Sequence, residues 1–221
     1  ELHPDFAQND LLYLYETRET TGGLTNRVAR YQFTLETNAL SDEQIIIDNI
    51  PGAAYHDGGR IAFGPDGYLY ITTGDAGNER SAQDRNSLAG KILRVHDDGS
   101  IPADNPFVGR DGYGAVYSYG HRNPQGLAWD TEGKLWSTEH GRSGIRSGYD
   151  ELHVIIAGGN YGWPEITYGI NYDGTPITDK TEQEGMEQPA TYWVPSIAPC
   201  GMMQIKGNRF SEWKNSLLIG A

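Results

Sequence analysis

The chain has 221 residues, enough for one large domain or two small ones with a sizeable core, and its 29 glycines and 14 tyrosines favour strands joined by tight turns over a helical bundle. A formal net charge of −13, from 17 basic and 30 acidic side chains, disfavours nucleic acid and anionic membrane surfaces as partners and suits a cation or a neutral ligand. The single cysteine, Cys200, excludes an intrachain disulfide, no apolar run is long enough to span a bilayer, and Glu1-Leu2-His3-Pro4-Asp5 lacks the regions of a signal peptide, so any export signal is expected to have been removed or to lie upstream.

One pattern recurs along the chain: an apolar strand, a turn built on Pro, Asp, Glu, Gly or Asn, then a strand carrying aromatics. Leu2-His3-Pro4-Asp5 leads to Leu11-Leu12-Tyr13-Leu14, and Phe63-Gly64-Pro65-Asp66-Gly67 leads to Tyr68-Leu69-Tyr70-Ile71. Trp129-Asp130-Thr131-Glu132-Gly133 precedes Lys134-Leu135-Trp136, and Ile205 to Asn208 precedes Leu217-Leu218-Ile219 more loosely. Further strands are predicted at Arg27 to Leu35, Ile45 to Ile47, Lys91 to Val95, Ala115 to Tyr119, Leu152 to Ile156 and Thr191 to Val194. The repeats begin 57, 66 and 82 residues apart, too irregular for a solenoid but suited to propeller blades with long loops. The prediction is therefore an all-β protein, a β-propeller present as an incomplete arc of roughly three and a half blades. An open arc exposes apolar blade faces and strand edges, so further blades are expected from a longer protein or from another chain. A β-sandwich with decorated loops suits the same alternation but not the spacing. The polar stretch from Asn171 to Gln188 has no core pattern and is predicted as a surface excursion between two strands of one blade.

Four Gly-flanked polar clusters fall at strand ends or in loops. In His56-Asp57-Gly58-Gly59-Arg60 the glycines let the backbone turn sharply and leave an imidazole able to accept a proton, although a loop histidine is more often an ordinary surface residue. In Gly120-His121-Arg122-Asn123-Pro124-Gln125-Gly126 a guanidinium and two amides suit a flat, carbonyl-rich anion, or equally a tie between blades. Beside Glu139-His140-Gly141, the neighbours Asp150 and Glu151 point to opposite faces of an extended strand and serve separate places, as calcium ligands together with carbonyls of the Gly141 and Tyr161 loops or as solvated charges. Trp163, in Gly158-Gly159-Asn160-Tyr161-Gly162-Trp163-Pro164, and Trp193 are able to stack on a planar ligand, with packing between blades the commoner use.

Taken in order, His56-x-x-Gly59-Arg60-x-x-Phe63-Gly64-Pro65-Asp66-Gly67, Gly90-Lys91-Ile92-Leu93-Arg94, Asp98-Gly99-Ser100-Ile101-Pro102-x-Asp104-Asn105-Pro106-Phe107, His121-Arg122-Asn123-Pro124-Gln125-Gly126 and Gly159-Asn160-Tyr161-Gly162-Trp163-Pro164 resemble the soluble PQQ-dependent glucose and aldose sugar dehydrogenase family, the bacterial aldose sugar dehydrogenase branch above all. The resemblance runs the length of the chain. It implies a six-bladed propeller of which residues 1–221 form one partial domain, without the first blade and the C-terminal part of the ring. It also implies oxidation of the anomeric hydroxyl of an aldose to a lactone, with hydride transfer to pyrroloquinoline quinone (PQQ) and onward passage of electrons to an external acceptor. His56 would be the general base and Arg122 would stabilise charge on the quinone oxygen, with Asn123 and Gln125 adjoining the cofactor and Trp193 a further candidate to stack on it. Carbonyls of Gly141 and Arg142, with Asp150 close by, would hold a calcium ion on the quinone, and Glu151 with the Tyr161 carbonyl would hold a structural one. A periplasmic or secreted location and a possible homodimer go with the resemblance.

Two departures stand out. Arg142 and the insert Ser143 to Tyr149 replace the proline that often follows the calcium-loop glycine, and Tyr55 stands where glucose-specific members carry Asp, so a narrow preference for glucose is not expected. Two other function classes compete: a propeller that has lost quinone chemistry and binds a ligand or a protein, and a calcium-dependent lactonase. The second needs several carboxylates and amides around one ion, which cannot be assembled here.

Overall fold

Period-two alternation builds the chain into antiparallel meanders. In the computed structural model, which describes residues 1–143 and 149–221, β1 (Leu11–Thr20), β2 (Gly23–Thr34) and β3 (Ala39–Pro51) form one sheet in that order, and Leu2 adds a single bridge to Leu12. A four-stranded sheet follows, β4 (Ile61–Phe63), β5 (Leu69–Thr73), β6 (Lys91–Val95) and β7 (Val116–Tyr119). The next repeats it with β8 (Pro124–Trp129), β9 (Leu135–His140), β10 (Asp150–Ile155) and β11 (Thr191–Trp193), and β12 (Met202–Gln204) pairs with β13 (Leu217–Ile219). Two whole blades flanked by a three-stranded and a two-stranded sheet make the predicted all-β arc of an incomplete propeller. Most of the 143–149 insert lies outside the described residues.

The cores lie between sheets. Leu69 and Ile71 of β5 and Leu93 and Val95 of β6 cluster with Tyr13, Val28, Ile46 and Ile50 of the first sheet, whereas the alternate residues Tyr70 and Ile92 cluster with Leu127, Leu135 and Ile155 of the third. Successive side chains of a strand point to opposite faces, so a sheet covered on both faces is buried throughout. Both β5 and β6 are buried at every position. A lone two-layer sandwich has no such middle sheet, which decides the fold for blades.

Strand lengths differ from expectation where burial is thin. β3 spans Ala39–Pro51 although only Ile45 to Ile47 read as a strand, because its polar half, Ser41 to Gln44, projects into water and is held by main-chain pairing to β2 and not by apolar contacts. The connection from β10 to β11 contains the predicted excursion. Its first part runs parallel to β7: Tyr161 N–H donates to Tyr119 O at 2.9 Å, and Trp163 N–H donates to Gly120 O at 2.9 Å. This path carries Trp163 to the end of the blades where Arg122 emerges. In an up-and-down meander the β3–β4, β5–β6, β7–β8 and β9–β10 connections all leave by that end, which gathers loops distant in sequence onto one face.

Candidate active site

Those loops enclose a cleft of ≈ 470 Å³ whose lining includes Tyr55, His56, Asp75, Arg122, Arg142, Trp163 and Tyr172. His56 occupies the left-handed region at φ 59, and the main chain after β5 presses against it. A Cβ on Gly74 would lie 1.8 Å from the His56 carbonyl oxygen, so only glycine fits there.

The His56 side chain is 18% exposed, and its Nδ1 lies 2.8 Å from Oδ1 of Asp75, a fully buried carboxylate. Asp75 Oδ1 also accepts Gly77 N–H at 2.8 Å, and Oδ2 accepts Trp163 Nε1–H at 2.8 Å. A carboxylate surrounded by N–H donors is an acceptor only, so the imidazole carries its proton on Nδ1 and keeps Nε2 as the proton acceptor. Asp75 escaped the sequence reading. Its signal was present, an isolated acid in Gly74-Asp75-Ala76-Gly77 just after the strand Leu69–Thr73.

Arg122 is nearly buried and held from several sides. Its Nη1 donates to the carbonyls of His140 (3.1 Å) and Gly141 (2.6 Å), its guanidinium lies 5.3 Å from the Trp163 ring centroid, and its main-chain N–H donates to the Glu139 carboxylate. Glu139 Oε2 also pairs with His121 Nδ1 at 2.9 Å, and His121 Nε2 meets Ser118 Oγ at 2.8 Å. Burial pushes His121 down, against the opposing pull of its bond to Glu139. Burial alone would raise Glu139, but its bond to His121, the His121 and His153 charges and the Arg122 N–H hold it below the usual carboxylate range. Across the cleft, Arg142 Nη2 donates to Tyr172 O at 3.0 Å and its guanidinium lies 4.9 Å from the Tyr172 ring centroid. Burial would raise Tyr172, yet the Ser143 N–H and the Arg122 guanidinium leave it below the ordinary phenol value. Tyr172 belongs to the excursion in which no function was legible.

Several expected site residues sit elsewhere. Asn123 Oδ1 accepts Gly58 N–H and Gln125 Nε2–H, each at 3.0 Å, so both amides tie the His56 loop to the next blade behind the cleft. Trp193 lies in β11, opposite Asp150, away from the cleft lining, and Trp163 forms the wall instead. Asp150 anchors the loops on either side of it. Its Oδ1 accepts from Gly141 N (3.2 Å), and its Oδ2 accepts from Ser196 Oγ (2.7 Å), Ile197 N (2.7 Å) and Ala198 N (2.9 Å). The Gly141 carbonyl faces Arg122, and the Arg142 carbonyl accepts Tyr149 N–H at 3.1 Å. Glu151 pairs with His153 at 3.2 Å, and Tyr161 stacks on His121 with centroids 4.6 Å apart. Among the described residues no group of three or more His, Cys, Asp or Glu is arranged to hold a metal. The expected calcium ligands are mainly main-chain carbonyls, and residues 144–148 beside them lie outside the described residues. The cleft lining fits a planar polycarboxylate quinone: two guanidiniums answer its anionic groups, and Trp163 and Tyr172 supply flat apolar surface.

Fold and site define a propeller with a carboxylate-oriented imidazole and two guanidiniums in one cleft. The Glucose / Sorbosone dehydrogenase family model matches residues 1–221, and the chain belongs to that family. It is 37% identical to the aldose sugar dehydrogenase YliI of Escherichia coli, over 100% of this chain and 60% of that protein. The crystal structure of the soluble aldose sugar dehydrogenase of E. coli in its apo form superposes with TM-score 0.92 at 36% identity, covering 100% of this chain and 64% of that one. The PQQ-bound aldose sugar dehydrogenase of Streptomyces coelicolor superposes with TM-score 0.75 at 38% identity, over 91% of this chain and 55% of that one. The chain spans 55% to 60% of the length of the first curated relatives it matches.

Proposed function

We propose that the protein carrying this chain oxidises the anomeric hydroxyl of aldose sugars to lactones with PQQ as the acceptor. The observation that supports this reading is the His56–Asp75 pair standing in the same cleft as Arg122. Bound there, PQQ supplies a two-electron acceptor for the hydride that leaves the anomeric carbon. His56 Nε2 takes the hydroxyl proton, and the buried Asp75 carboxylate stabilises the imidazolium that results. Arg122, fixed by two carbonyls and the Trp163 ring, offers positive charge where an oxyanion develops, with no reorganisation during the reaction. Arg142 and Tyr172 would hold the quinone from the opposite wall. No step of this account is routed through calcium. A periplasmic or secreted location and an external electron acceptor go with the proposal.

The test is reconstitution of the full-length protein with PQQ and assay with aldoses. Replacing His56 with Gln is expected to lower turnover by roughly 10² to 10⁴ and to leave quinone binding, followed by absorbance, almost unchanged. Near-normal turnover in that variant would remove His56 as the base. A wild-type protein that never binds PQQ would favour the reading as a non-catalytic propeller.

A further inference from the structure

Tyr55 is 60% exposed, lines the cleft and directly precedes the base. Exposed tyrosines ordinarily move freely, but this one is held on two sides. Its ring meets the His56 imidazole edge-on at 4.9 Å and 87°. On the other side it rests against Gly77, where a Cβ would lie 2.8 Å from Tyr55 Oη and 3.0 Å from Cε2, and where φ is +75. Any larger residue at 77 would displace the ring. Gly77 is itself fixed by its N–H to Asp75 Oδ1, so the carboxylate that orients the base also locates the backbone supporting the ring. A large aromatic face kept out of the core and held rigid at a polar cleft is arranged for a ligand that is apolar on one side and polar around its edge. A sugar ring in its chair form has those properties, with C–H groups on its face and hydroxyls at its rim.

We infer that Tyr55 is the sugar platform of this site: its ring takes the C–H face of the aldose and brings the anomeric hydroxyl to His56 Nε2. The inference rests on the aldose dehydrogenase reading above. An aromatic face reads ring shape and not one particular hydroxyl, so the platform admits aldoses that differ in hydroxyl configuration away from the stacked face. The test uses the full-length protein loaded with PQQ, with Tyr55→Ala and Tyr55→Phe variants. Each is assayed with several aldoses and with methyl glycosides as unreactive competitors. Loss of the stacked face in Tyr55→Ala is expected to raise KM for the aldoses and Ki for the glycosides together, by roughly three- to tenfold, with kcat kept within about twofold. Tyr55→Phe keeps the ring and is expected to restore both constants. If Tyr55 only buttressed His56, Tyr55→Ala would lower kcat and move the pH profile while Ki stayed at the wild-type value, and the platform would be rejected. An active wild type whose Ala variant has unchanged KM and Ki rejects the platform alone. A wild type inactive on every aldose rejects the dehydrogenase reading and the platform with it.

Discussion

At the scale of single residues, the site depends on a carboxylate with no exposed surface. Asp75 receives N–H groups from His56, Gly77 and Trp163, which lie in three different connections between strands. Replacing Asp75 with Asn keeps the shape but puts an amide N–H₂ where one of these donors must be accepted. The imidazole would then lose its fixed tautomer or the indole would lose its partner. Turnover in Asp75→Asn is expected to fall by roughly 10²-fold or more, as in a triad deprived of its orienting acid, with sugar KM changed little. Steady-state rates across pH check this, and an Asn variant with wild-type turnover and pH profile would show that His56 needs no orienting acid.

At the scale of elements, β6 begins with a lysine that has no exposed surface. Lys91 Nζ donates to the carbonyls of Ser81 (2.7 Å), Ala82 (3.0 Å) and Ala89 (2.5 Å), clamping the 3₁₀ turn Glu79–Ala82 that follows the Asp75–Gly77 segment. Burial pushes Lys91 down to about 7, against the opposing pull of Asp84, and the three carbonyls are what support the ammonium there. The unfolded chain holds this proton up to the ordinary value of 10.5, whereas the folded chain releases it near 7. Between those values unfolding takes up a proton, so raising the pH stabilises the fold, by at most about 1.4 kcal/mol per pH unit for one group. Lys91→Met removes this linkage, so its stability is expected to rise less steeply than wild type between pH 7 and pH 10, measured by urea unfolding at each pH. Parallel slopes would mean that the carbonyl cradle keeps Lys91 charged throughout.

At the scale of the whole molecule, cohesion comes from clusters shared by neighbouring blades. Leu93 is fully buried in the cluster joining the first sheet to the second. Leu93→Ala is expected to cost about 2–5 kcal/mol. Because the cluster belongs to both sheets, loss should appear as one earlier transition in circular dichroism. A variant that splits off an independent transition for the first sheet would show that the blades do not share stability.

The sequence by itself determined the elements and their kind. Turn residues and period-two patterns place the meanders, because main-chain geometry and side-chain alternation are local properties that four to eight residues express. It also marked His56 and Arg122, which stand out as polar residues among glycines at strand ends. What it could not settle was which of its polar groups face one another. Asp75, Trp163 and Tyr172 meet His56 and Arg122 only because a meander returns alternate connections to one face and because residues 158–163 run back along β7. Tertiary structure likewise decided that Asn123, Gln125 and Asp150 spend their lone pairs and protons on loops. A side chain's ligand capacity depends on which donors reach it first, and those donors come from as far as 65 residues away.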